Sequence, residues 1–92
     1  MLVDAENVRR SIWPNIARAE LERLCRDWGR EHGHDVIVVW EGAETADDAI
    51  AAAVRERVGP LWVITSDREL RERVAARVER IVGGGSFARK LR

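Results

Sequence analysis

Val36-Ile37-Val38-Val39-Trp40 is an unbroken apolar run, four β-branched residues closed by an aromatic one. A strand with one wet face alternates apolar and polar residues. A run without alternation therefore reads as a strand covered on both faces, the habit of parallel sheets. It stops at Glu41-Gly42. Downstream, Thr45 stands where a helix would be capped, and Ala46, Ala49, Ile50, Ala53 and Val54 recur at helical spacing until Gly59-Pro60. Leu61-Trp62-Val63-Ile64 reads as a further strand closed by Thr65-Ser66-Asp67, and Leu70, Val74, Val78 and Ile81 line the helix after it. Beyond that helix lie a short strand near Ile81-Val82, a glycine run at Gly83 to Gly85 read as a turn, and a tail, Ser86 to Arg92, with room for one last helical turn.

Upstream, Ala17, Leu21, Leu24, Cys25 and Trp28 form one face of a helix ending near Gly29 to Gly33. Trp13-Pro14-Asn15 marks its beginning, because proline disfavours helix in the residue before it. The first apolar run, Met1-Leu2-Val3, reads as a strand that ends in a polar loop, Asp4-Ala5-Glu6-Asn7. Strand and helix thus alternate three times, which implies an α/β/α sandwich: a parallel sheet with helices on both faces, joined by right-handed crossovers. Residues 1–92 read as one domain without internal repeats.

The composition bounds what such a domain does. With 46% apolar and 35% charged residues, it has the balance of a folded globular chain. No apolar run approaches the ~18 residues of a membrane span, and no basic region followed by an apolar stretch opens the chain, so a cytoplasmic location without membrane contact is the expectation. Cys25, the single cysteine, excludes an internal disulfide and a cysteine-based zinc site. Sixteen bases balance sixteen acids, so bulk charge does not argue for nucleic-acid binding.

The chemistry resides in carboxylates. In open parallel sheets the ligand site lies beyond the carboxyl ends of the strands, where the strand order reverses. Asp4 and Asp67 sit at two such ends, and if the first strand neighbours the third, both open into one crevice. The following helix start supplies Asp47 and Asp48. Carboxylates converging there would repel one another unless a divalent cation were present. On a helical wheel Asp47 lies at the margin of the apolar face and Asp48 points nearly opposite, which favours Asp47 as a ligand. Each acid has a purely structural alternative. Ser66-x-x-Glu69 matches a capping box, with Asp67 a first-turn acid; Asp48 fits a capping box with Thr45; Asp4 fits a turn after a strand.

Three blocks carry a family resemblance. Val3-Asp4-Ala5-Glu6-Asn7-Val8, Thr45-Ala46-Asp47-Asp48-Ala49-Ile50 and Val63-Ile64-Thr65-Ser66-Asp67-Arg68 occur in the order, and with the pattern, of the "VDGxNV", "ADDxI" and "VVTSDR" blocks of NYN domains. The chain resembles YacP-like ribonucleases of the PIN-like nuclease superfamily. It departs from them in Ala5 for glycine, in Glu41-Gly42 for Asp-Gly, and in its shorter length; Glu41, at the end of the second strand, can face the site or equally stand exposed to water. The resemblance implies a sheet of about four strands in the order 2-1-3-4 and an acidic site that binds Mg²⁺ or Mn²⁺ for RNA phosphodiester cleavage. By matching position, Asp4, Asp47 and Asp67 would be the principal metal ligands and Asp48 a fourth. Asn7, Thr65 and Ser66 would orient water or the ligand carboxylates.

An RNA substrate needs phosphate contacts, and Arg68, Arg71, Arg9 and Arg10 lie near the expected site, with Arg68 favoured because it belongs to the third block. Trp28, Trp40 and Trp62 read as core; Trp13, in a loop near Asp4, is the one stacking candidate. His32, His34 and Cys25 read as structural. The glycine run lacks the Lys-Ser/Thr that a phosphate loop requires. Two other functions compete. One is an inactive PIN-like module for RNA binding or dimerisation, which leaves room for a homodimer. The other is a receiver-like Mg²⁺-binding signalling domain, which would need a lysine on a later strand, whereas Lys90 in the tail is the only lysine.

Overall fold

A computed structural model describes residues 1–57 and 59–91. Four strands, β1 (Leu2–Asp4), β2 (Ile37–Val39), β3 (Trp62–Ile64) and β4 (Arg80–Val82), form one parallel sheet in the order β2-β1-β3-β4. Five helices accompany it: α1 (Ala5–Arg10), α2 (Arg18–His32), α3 (Ala46–Glu56), α4 (Arg68–Val74) and α5 (Gly84–Leu91). Strand order and the parallel sheet are those expected.

The pleat sorts the core into two halves. Met1 and Val3 face one side with Val8, Ile12, Leu21, Cys25, Ile64 and Phe87, beneath α1, α2 and α5. Leu2 and Val63 face the other with Ile50, Val54, Leu70 and Val74, beneath α3 and α4. The helices therefore cover both faces, and β1, in register with β2 and β3 (Val3 opposite both Val38 and Ile64), lies at the centre with every residue buried. No described helix is long and apolar enough to cross a membrane.

Four local expectations are corrected. The residues after Asp4 are helix α1, not a loop; burial of Ala5 and Val8 under the sheet and the Glu6–Arg9 pair at 3.2 Å support this short helix. The Val36–Trp40 run is an edge strand, packed on both faces but covered only in part: Val36 and Val38 pack into one half-core and Val39 into the other, while Ile37 is 41% exposed. Helix α4 stops at Val74 in a 3-10 turn, Ala75–Arg77, so Val78 and Ile81 are not helical, and Ile81 belongs to β4 opposite Val63. The glycine run is not merely a turn, because α5 begins at Gly84 and buries Phe87 and Ala88; Arg92, the end of the expected tail, lies outside the described residues.

Within α2, Gly29 is interior rather than terminal. A Cβ there would run into Val36, so its bareness lets the chain return close by to enter β2, while Gly33, at φ 73°, ends the helix.

Candidate active site

The chain leaves β1 toward β2 on one side and leaves β3 toward β4 on the other, so the order reverses between β1 and β3. At that crevice, beyond the carboxyl ends, lies a polar cleft of about 220 Å³. Asp4, Glu41, Asp47 and Asp67 line it, with Glu6, Asn7, Arg10 and Thr45 completing the wall.

Asp4 closes β1 and is buried, 6% exposed. The Thr65 hydroxyl donates to its Oδ2 at 2.8 Å and accepts from the Asp67 backbone N–H at 3.0 Å, so one hydroxyl joins the ends of both central strands. Burial pushes the Asp4 carboxyl above its ordinary range; the Thr65 bond offsets part of this, and the charges of Asp47, Asp67 and Glu41 raise it further. Asp47, in the first turn of α3, is raised too, by burial and then by Asp67 and Glu41, with Arg73 opposing. The acids are thus close enough to sense one another.

Asp67 is the N-cap of α4: its Oδ1 accepts from the Leu70 N–H at 2.9 Å. The alternative of a capping box from Ser66 is set aside, since the helix starts one residue later. The second oxygen, Oδ2, makes no hydrogen bond among the described residues. Asp48 turns elsewhere. Its backbone N–H donates to the Thr45 cap at 3.1 Å, its carboxylate accepts from Arg73 at 3.0 Å, and that guanidinium holds its carboxyl below the usual range. It is not part of the cleft wall.

Asn7 and Ser66 act as fasteners. The Ser66 N–H donates to Asn7 Oδ1 at 2.9 Å, and the Gly84 N–H donates to Ser66 Oγ at 2.7 Å. The start of α1, the end of β3 and the start of α5 are thereby tied together. A Cβ at Gly84 would run into the Asn7 side-chain oxygen and push it off the Ser66 N–H.

Of the four arginines, only Arg10 lines the cleft. Arg9 is engaged by the Ile16 carbonyl at 2.7 Å and by Glu6. Arg68 is almost fully exposed beside Glu72 at 3.9 Å, and Arg71 is exposed on α4. Trp13, 87% exposed, stands with Ser11, Ile12, Ala88 and Arg89, away from the acids. Glu41, a departure from the family pattern that by its place after the second strand could either face the site or stand in water, lines the cleft.

The oxygen-only donor set suits a hard divalent cation. Among the described residues, however, no three His, Cys, Asp or Glu side chains are gathered tightly enough to enclose an ion by themselves. No family model, no curated protein and no solved structure matches the chain.

Proposed function

We propose that this chain is a metal-dependent endoribonuclease that hydrolyses RNA phosphodiester bonds at the acidic cleft. The observation that carries the reading is the convergence of Asp4, Glu41, Asp47 and Asp67 at the point of strand reversal, with the carboxyls of Asp4 and Asp47 raised in part by the charges of their neighbours. RNA as the substrate is supported by the resemblance of three ordered blocks to NYN domains.

Mg²⁺ keeps several waters and is commonly held by one or two carboxylates, so the reading does not require three side chains in mutual contact. Asp4 and Asp67 would hold the ion, directly or through water, and Asp47 and Glu41 would add negative charge beside it. When bound, the ion supplies charge against the phosphate oxygens and makes a water more acidic. The protein's part is placement. Thr65 fixes the Asp4 carboxylate, the Leu70 N–H fixes that of Asp67, and Arg10 at the rim offers a guanidinium to a flanking phosphate. Asp47, whose carboxyl is raised by burial and then by the charges of Asp67 and Glu41, would take the proton that the attacking water sheds.

Purified protein is expected to cleave single-stranded RNA with Mg²⁺ or Mn²⁺ and not with EDTA. Asp67→Asn should abolish cleavage while the fold persists, because asparagine caps a helix as well as aspartate does. Unchanged cleavage by a folded Asp67→Asn protein would remove the proposal. The open spacing of the acids favours one second reading, a cleft that binds RNA without cutting it; retention of RNA with no product at any Mn²⁺ concentration would select it.

A further inference from the structure

A second recess, of about 500 Å³, shares no residue with the acidic cleft. It lies over β3 and β4, between residues of α2 and α5. Its rings form a connected set. Trp28 is stacked on His32 at 4.2 Å, meets Phe87 edge-on at 5.1 Å and lies 5.4 Å from His34, which in turn is 4.6 Å from Trp62. The Arg80 guanidinium sits 4.9 Å above Trp62. Arg80 and Lys90 are exposed and form no ion pair among the described residues; of the described acids Glu31 lines the wall, and Glu79 accepts from the Trp62 indole N–H at 3.3 Å.

Aromatic faces beside unpaired cations form a surface with two demands: a flat π-system and a negative charge held close to it. A nucleotide meets both. We propose that this groove binds a nucleotide unit, its base laid on the Trp62 face and its phosphate met by Arg80 and Lys90. The base would displace the Arg80 guanidinium, since an exposed cation–π contact is weaker than base stacking, and the freed arginine would turn to the phosphate. The volume lies within the range of small-molecule sites. A free mononucleotide and one unit of an RNA strand offer the same chemistry. The inference does not depend on the acidic cleft being catalytic.

The test is a titration of the intact protein in EDTA, following tryptophan fluorescence. The probes are adenosine 5′-monophosphate, ribose 5-phosphate and a short unstructured single-stranded RNA. The base-bearing probes should alter the fluorescence and ribose 5-phosphate should not. Arg80→Glu/Lys90→Glu should weaken their binding by at least about tenfold, whereas Arg55→Glu/Arg77→Glu, with the same charge change outside the groove, should not. Lys90→Glu alone serves if the double variant loses its circular dichroism. Binding of the monophosphate identifies free nucleotide as a source, and binding of RNA alone identifies the strand; either supports the groove. Ribose 5-phosphate binding as tightly as the monophosphate, or groove and control variants binding alike, would overturn it. Because EDTA suppresses cleavage, loss of the groove leaves the nuclease proposal standing, and failure to cleave leaves the groove.

Discussion

Asp4 ends an interior strand of the sheet as a buried carboxylate with three other acids acting on it. Its proton is held more tightly in the folded chain than at the ordinary value of 3.8. Between that value and the raised folded one, the native state binds more protons than the unfolded state, so stability falls as pH rises through this window. Asp4→Asn keeps an oxygen to accept from Thr65 and removes the charge. Without divalent ion, the variant should therefore melt at a higher temperature than the parent at neutral pH, and the gain should vanish below the ordinary carboxylate range; thermal melts across pH check this. A gain that persists in acid would show that charge is not its cause. At this scale the sequence was informative where a residue's place on an element settles its direction. Strand ends brought out Asp4 and Asp67, and helical phase separated Asp47 from Asp48. What it did not show was who claims each polar atom. Arg73 on Asp48, Leu70 on Asp67 and Ile16 on Arg9 are tertiary or capping contacts without a periodic signature.

Elements were legible where propensity and burial agree, as in α2 and α3, and illegible where tertiary contact overrides propensity. Glycine is a poor helix former, yet α5 opens with two: at Gly84 its first turn passes close to Asn7 and Ser66, and Phe87 is buried one turn later. The two glycines make a paired prediction. Gly84→Ala should destabilise by about 1–3 kcal/mol, as overpacking does, whereas Gly85→Ala, whose Cβ meets nothing, should be neutral or stabilise by up to about 1 kcal/mol. Urea unfolding of both variants measures this, and equal costs would mean that close approach is not the reason for Gly84. In α4, the spacing of Leu70, Val74, Val78 and Ile81 satisfied a helix by coincidence: the last two take their apolar character from packing near the far edge of the sheet. Val36–Trp40 misled for a related reason. An edge strand whose two sides both touch helices keeps an apolar run without being enclosed.

For the whole molecule, a Cα radius of gyration of 12.2 Å is what a compact domain of this length should have, about 12 Å. Its stability is expected at roughly 5–14 kcal/mol, from the usual 0.05–0.15 kcal/mol per residue. Phe87→Ala, which empties the contact between α5 and its half-core, should cost about 3–5 kcal/mol and lower the melting temperature by more than any surface change, as calorimetry would record. The parallel topology has a further consequence. Every strand pairing joins distant segments, and β1, the central strand, comes first in the chain: Leu2 pairs with Ile37 and with Val63. At a synthesis rate of ~5–20 residues per second, the second of those partners follows the first strand by roughly 3–12 s. Throughout that interval the most deeply buried strand of the sheet, with the aspartate that ends it, has at most β2 to pair with. Its first hazard is thus one of timing, met before any of the packing described above exists.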